Sequence, residues 1–322
     1  MIKEIAKGFY RLTLPMPFRL NHIQSFALVH GKQVTLFDTD LDIPEGISTL
    51  KDDLQQIGRS IREIDRIFLT HYHADHCGLA GRLKEISGAR IYLSEADHEA
   101  ILNQNREGEL FQHLRNFCRE HDFPEQLISS LQELHRYFSR VTFPFEVDEL
   151  LSPYSWHTSG NRAFQVIPVP GHTQGQVCFY FPGEAILLSS DHVLPEITPN
   201  LSIDLFHPKW HPLESFLESL GRVKTLTVNY AFPSHGKTID DLPARIHEIE
   251  IHHAERKELI LHAVRQGYNT AREVSLNIFG EDLPEFDQYL ALHETCVHLL
   301  ELKSEGSIRE IQSGIKKLYR PR

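Results

Sequence analysis

The run Ile64-Asp65-Arg66-Ile67-Phe68-Leu69-Thr70-His71-Tyr72-His73-Ala74-Asp75-His76-Cys77-Gly78 decides how this chain is read. Its first part, Ile64 to Thr70, is short and largely apolar and predicts a buried strand. Its second part sets four ligand-type side chains, His71, His73, Asp75 and His76, directly behind that strand. Alternate residues just past a strand point to one side, and a turn then lets the next two address a neighbouring position. The cluster is therefore able to serve two metal ions. Imidazole and carboxylate suit zinc and its first-row neighbours, with iron and manganese as alternatives, whereas an all-oxygen set would favour magnesium or calcium. A lone histidine is ordinarily a surface or satisfied polar group. Four ligand-type groups packed between a buried strand and Gly78 are a different matter.

Upstream, three β-rich runs open the chain at Phe9–Leu14, Ser25–His30 and Gln33–Asp38, the last two joined by Gly31-Lys32 in a tight hairpin. Ile47, Leu50, Leu54 and Ile57 recur at helical spacing ahead of the decisive strand. Downstream, Leu79–Ile86 reads as a helix and Arg90–Leu93 as a strand, so the histidine run occupies a strand-to-helix loop, where sites are commonly built. Residues from about 95 to 150 carry long helical periodicities interrupted by Pro124 and Pro144, a helical insertion. A second β-rich stretch follows at Ala163–Val169, Gln176–Phe181 and Ala185–Ser189, then a loop to Pro212, a helix from Leu213 to Val223 and a last strand at Thr225–Ala231. Two sheets of similar make-up, each followed by helices, predict an α/β sandwich of four layers, αββα. Beyond about Asp240 the texture is helical, with helices expected at Leu242–Gln266, Thr270–Phe279 and Glu285–Lys303 before a terminal hairpin, an order that fits a small winged-helix-like domain. The expected domains are thus 1–240, catalytic, and 241–322, helical.

The histidine run resembles the H-x-H-x-D-H signature of the metallo-β-lactamase superfamily, and the rest of that pattern follows in order. His172 in Pro170-Gly171-His172-Thr173, Asp191 in Ser190-Asp191-His192 and His235 in Pro233-Ser234-His235-Gly236 resemble the family's later metal positions. The resemblance spans about residues 9 to 240. It implies that His71, His73 and His172 hold one ion, that Asp75, His76 and His235 hold the other, and that Asp191 lies between them. A water shared by two such cations is acidified, and the pair also polarises the electrophile and stabilises the leaving group. Asp75 is the candidate catalytic group that orients this water and carries its proton, with pure ligation as the alternative. Asp38, in Phe37-Asp38-Thr39-Asp40, resembles a family Asp-Thr-Gly element in which Asp40 replaces Gly. Its expected task is a hydrogen bond to a ligand histidine. Tyr72 and Cys77 are expected to pack, and His207, Trp210 and His211 lie in a loop that either touches substrate or is wrapped surface.

Composition narrows the partners. With a formal charge of −11 over 322 residues, the chain lacks the clustered cations that nucleic acid or an anionic membrane demands. No stretch approaches the roughly 20 apolar residues of a bilayer span, and the N-terminus has no signal-like apolar run. Four widely spaced cysteines, Cys77, Cys118, Cys178 and Cys296, form no C-x-x-C pair and fit a reducing cytoplasm. A small molecule is the expected substrate, and a homodimer is allowed. The preferred reaction is hydrolysis of an ester-like bond in a thioester, lactone or other activated acyl compound. One branch of the superfamily joins a similar catalytic domain to a winged helix and cleaves RNA, but residues 241–322 hold 14 acidic against 11 basic side chains, opposite to a nucleic-acid reader. A metal-bound ligand sensor is the third reading, disfavoured by the completeness of the donor set.

Overall fold

A computed structural model describes residues 2–322. The chain begins as an antiparallel meander of β1 (Ile2–Ala6), β2 (Phe9–Pro15), β3 (His22–His30) and β4 (Gln33–Phe37). Helix α1 (Pro44–Gln56), opened by a proline at its first position, buries Leu50 and Leu54 and returns the chain to β5 (Ile64–Phe68), parallel to β4. A single helical turn, α2 (Ala74–Cys77), and α3 (Ala80–Ser87) lead to β6 (Arg90–Ser94). The expected insertion consists of α4 (Glu95–Gln104), α5 (Glu107–Glu120) and α6 (Glu125–Arg140), and β7 (Glu149–Leu151) then adds to the sheet edge. The second sheet is built from β8 (Trp156–Ser159), β9 (Arg162–Pro168), β10 (Val177–Phe181) and β11 (Ile186–Ser190). Helix α7 (Pro212–Lys224) crosses to β12 (Tyr230–Pro233), parallel to β11. Helices α8 (Leu242–Gln266), α9 (Ala271–Phe279) and α10 (Glu285–Ser304) and the hairpin of β13 (Ile308–Ser313) and β14 (Lys316–Pro321) complete the chain.

Among the described residues the strands form a seven-stranded sheet, a five-stranded sheet and the terminal hairpin. The two larger sheets face each other across an aromatic layer. Phe9, Phe26, Phe37 and Phe68 from the first meet Phe164, Phe179 and Phe181 from the second. Phe37 sits at the middle, its ring 5.1 Å from both Phe164 and Phe179 and 4.9 to 6.4 Å separating other pairs of that layer. The outer face of the first sheet is covered by Leu50 and Leu54 of α1 and Leu83 of α3, and that of the second by Leu213, Phe216 and Leu220 of α7 and Ile246 and Ile249 of α8. This is the αββα order expected.

The differences from expectation lie at edges. The last strand is Tyr230–Pro233 rather than Thr225–Ala231, because Thr225 and Leu226 bond back to Arg222 and Val223 and close the end of α7. Strands β1, β7 and β8 lie outside the expected set: β1 carries Lys3 and Glu4, and β7 and β8 are too short to show a period. Leu114 and Phe117 of α5 and Leu131 of α6 share one core with Ile260, Val274, Leu292 and Leu299 of α8, α9 and α10, so the insertion and the C-terminal helices rest on each other. No helix of the described residues is long and apolar enough to cross a membrane.

Truncating Phe37 to Ala is expected to cost about 3–5 kcal/mol, while Trp156→Ala on exposed edge strand β8 stays within about 0.5 kcal/mol. Urea unfolding of the two variants compares them directly. Equal shifts would contradict the central place given to the inter-sheet layer.

Candidate metal centre

Strand ends deliver the site. Past β5, His71 and His73 follow in extended backbone, and His73 with ψ 146° caps α2, whose first turn turns Asp75 and His76 inward. Past β9, Gly171 gives the chain room to pass close to Phe216 of α7, where a Cβ would collide with that residue's Cα and Cβ, and His172 follows. Past β11 comes Asp191, preceded by Ser190 in the left-handed region at φ 52°. Past β12 comes His235. Side chains from distant segments are thus gathered at one end of the sandwich.

Four of the five histidines tie down Nδ1 and present Nε2. His76 Nδ1 lies 2.8 Å from Asp38 Oδ2, His172 Nδ1 2.7 Å from the Asn200 carbonyl oxygen, His235 Nδ1 2.9 Å from that of His22, and His71 Nδ1 3.1 Å from Thr70 Oγ1. His73 is reversed and offers Nδ1, which stands 3.0 Å from both His71 Nε2 and His172 Nε2. Asp75 Oδ2 lies 3.6 Å from His76 Nε2 and 3.4 Å from His235 Nε2. Asp191 spans the two groups, with Oδ1 3.4 Å from His235 Nε2 and Oδ2 3.6 and 3.7 Å from His76 Nε2 and His172 Nε2.

The donor set fits metal ions. His76 Nε2 and Asp191 Oδ1 are buried without a hydrogen-bond partner among the described residues. The separations of 3.0 to 3.7 Å bracket the edge, about 3.4 Å, of a tetrahedron built on bonds of about 2.1 Å. Burial holds His73 down to about 3 and His71 well below the usual range, so both keep bare lone pairs. Burial pulls His235 the same way, but Asp191 and Asp75 outweigh it and lift that imidazole to about 10. One trio is poised as neutral ligands, and the carboxylates of the other draw positive charge. The groups His71/His73/His172, His71/His76/Asp191 and Asp75/His76/His235 could each hold a cation.

Asp38 anchors more than His76. At φ 56° it turns its carboxylate back to accept from the Thr70 amide at 2.7 Å and the Thr70 hydroxyl at 2.7 Å, and Ser190 Oγ donates to that hydroxyl at 2.8 Å. Asp40, standing in place of the family's Gly, is fully buried, with Oδ1 accepting from its neighbour Leu41, and burial pushes its carboxyl up to about 8. Tyr72 packs beside His73, and Cys77 is buried with Sγ toward the Tyr72 carbonyl oxygen at 3.1 Å. His207 pairs with Asp204, Trp210 Nε1 donates to Ser215 Oγ, and His211 stands near Glu214 and Glu301, so none of the three joins the cluster.

Thr70, Ser190 and Asp97 were not singled out in the sequence. Asp97 is fully buried at the start of α4 and joins two loops of the site: Oδ2 accepts from the Tyr72 amide at 3.1 Å and from Thr173 Oγ1 at 2.9 Å, and Oδ1 from the Gly175 amide at 2.8 Å. Gly175 is required there, since a Cβ would collide with Ser94 Oγ and Asp97. In sequence Asp97 reads as an ordinary acidic residue in a helix's first turn behind Ser94, which concealed it.

The family model of the metallo-beta-lactamase superfamily matches residues 19–235, which include every side chain of this cluster. The chain belongs to the metallo-beta-lactamase superfamily. It is similar to a probable metallo-hydrolase of Bacillus subtilis, 24% identical over 94% of each chain, and to an atrochrysone carboxyl ACP thioesterase of Aspergillus fumigatus, 21% identical over 98% of this chain and 66% of that one. Among solved structures, a metallo-beta-lactamase family protein of Thermus thermophilus is 26% identical with a TM-score of 0.82, covering 99% of this chain and 100% of the other. A beta-lactamase domain protein of Burkholderia ambifaria shares the fold at 24% identity and a TM-score of 0.88, over 100% of this chain and 94% of that one. These relatives bear out the reading of a metal-dependent hydrolase with this superfamily's fold.

Replacing Asp97 by Asn turns an amide donor toward groups that are themselves donors. The expected cost is about 1–3 kcal/mol in urea unfolding, with faster amide exchange at Tyr72 and Gly175. Unchanged exchange at both amides would show that Asp97 does not hold the loops.

Proposed function

We propose that this chain is a dinuclear metal-dependent hydrolase that cleaves an ester-like acyl bond, with a thioester as the first candidate and a lactone or other activated acyl compound behind it. The observation that carries the reading is Asp191, whose two oxygens face both donor groups at 3.4 to 3.7 Å. His71, His73 and His172 would hold one ion, Asp75, His76 and His235 the other, with Asp191 between. Zinc suits the imidazole-rich set best, with iron or manganese as alternatives. Two such ions supply an acidified water and a Lewis-acid pull on a carbonyl oxygen.

The chain's own residues orient and exclude. Asp75 is the least buried member of its group, its side chain 22% exposed, so its carboxylate reaches both His235 and the open side of the site. We assign it the orientation of the nucleophile and the transfer of its proton to the leaving group. The loop that gives His172 its Asn200 partner continues to Ile203 and Leu205, which pack in the core shared by the insertion and the C-terminal helices. The insertion, about 95–150, and the unit 241–322, which we read as winged-helix-like, would thus form the wall that selects the acyl group beside the catalytic domain 1–240. That the Aspergillus relative is named a thioesterase supports the substrate class. All four cysteines are buried and unpaired, in keeping with a reducing cytoplasm.

Nothing among the described residues of the C-terminal unit favours RNA cleavage. Two of the four cations of its tail are paired with carboxylates, Lys316 with Asp122 at 2.6 Å and Lys317 with Glu120 at 2.5 Å on and beside α5.

Thioesters, lactones and phosphodiesters offered to metal-replete protein and to Asp75→Ala would separate the readings. Acyl hydrolysis by the parent, lowered about 10²–10⁴-fold in the variant, is expected. Turnover of phosphodiesters alone overturns the proposal. Elemental analysis should also find that a His71→Ala/Asp75→Ala double variant binds about two ions per chain fewer than the parent. Equal metal content in the two would remove the dinuclear centre.

A further inference from the structure

Outside the main site, α8 and α10 bring a second set of ligand-type side chains together. Glu294 and His298 are one turn apart on α10 and face His252 and His253 of α8. His298 Nδ1 lies 2.8 Å from the Glu294 carbonyl oxygen, which can only accept, so Nδ1 carries the proton and Nε2 is left as a lone pair. His253 Nδ1 stands 3.3 Å from that Nε2 and is therefore the donor between the two rings. By the same logic His253 Nε2 is a bare lone pair. It has no partner among the described residues, although His253 is only 2% exposed.

Glu294 Oε1 is the second orphan. The residue is 9% exposed, and this oxygen likewise finds no hydrogen-bond partner among the described residues. His252 Nε2 is 3.9 Å from it and Arg256 Nε 3.8 Å, both beyond hydrogen-bond length. The Arg256 guanidinium is instead drawn over the Phe279 ring, 4.3 Å from its centre. One ligand atom each of His252, His253 and Glu294 lies within 4.8 Å of the others, so the orphaned carboxylate oxygen, with Arg256 Nε 3.8 Å away and itself unpartnered, belongs to a carboxylate that shares one small space with two imidazoles. Buried acceptors without a donor are costly, and a cation relieves them at once.

We propose that His252, His253 and Glu294 form a structural site for a zinc-class divalent ion that ties α8 to α10. Two imidazoles and a carboxylate are a recognised zinc donor set, with a remaining position for water. The chain from the Glu294 carbonyl through His298 to His253 is the outer support such a ligand needs, fixing ring and tautomer. His252, 36% exposed at its side chain, gives the ion a way in. The site is separate from the main cluster: the ring of Phe216 touches His253 on one side, at 5.5 Å, and His192, the neighbour of Asp191, on the other, at 5.2 Å.

The test uses the full chain and Zn²⁺ alone. With the main cluster disabled by His71→Ala/Asp75→Ala, equilibrium dialysis should still find one ion per chain. Adding His252→Ala, a half-exposed position, should weaken that binding by more than about 100-fold, and Glu294→Gln should do the same. Zinc should raise the thermal midpoint of the double variant and leave that of the triple variant unmoved. A folded double variant that binds no zinc, or binds it equally well without His252 and Glu294, overturns the proposal and leaves a water bridging His253, Glu294 and Arg256. Every arm carries the same His71→Ala/Asp75→Ala pair, so any ion kept by the remaining donors of the main cluster is common to all arms, and an error in the reading of that cluster leaves the difference made by His252 and Glu294 intact.

Discussion

A histidine ring has two nitrogens, and the whole site depends on which one is tied down. Asp38, Thr70 and two backbone carbonyls each claim an Nδ1, so that four Nε2 atoms converge on one small volume. Only His73 is reversed, and it is also the residue that caps the single-turn helix following it. Nitrogens and carboxylates gathered in this way call for positive charge between them, proton or metal, and the sandwich supplies the rigidity to hold them there. The inter-sheet aromatic layer sets where the strands end, and the strand ends set where the loops begin.

The donor residues were readable in the sequence because their spacing follows from the strand that precedes them. His71 and His73 alternate as extended residues must, and Asp75 and His76 occupy the turn that comes next. His172, Asp191 and His235 could be placed only through the family pattern, since no local period connects residues so far apart. What supports the donors was much less visible. Asp38 was found through the family element, whereas Thr70, Ser190 and Asp97 are ordinary polar residues whose importance comes from what they face across the fold. Thr70 and Ser190 bond side chains far away in the chain, and Asp97 bonds two backbone amides and the Thr173 hydroxyl, pairings that no local pattern marks.

The sandwich followed the hydrophobic pattern wherever strands were long enough to show one. Edge strands β1, β7 and β8 escaped it, being short or carrying charge on an exposed face. The strand after α7 starts five residues later than Thr225, whose neighbourhood carries the β-favouring Thr227 and Val228, because the Thr225 and Leu226 amides are spent on closing α7. Helices of the C-terminal segment were well marked by their apolar period, yet nothing local told that their inner faces meet α5 and α6.

That shared core has a bearing on how such proteins diversify. The segment after β6 and the one after β12 share one hydrophobic core, and the loop that fixes His172 packs against it. Neither can be exchanged, shortened or lost alone without exposing the apolar face of the other. A change in one segment is therefore expected to be matched by a change in the other, paired drift rather than the swapping of either as a module.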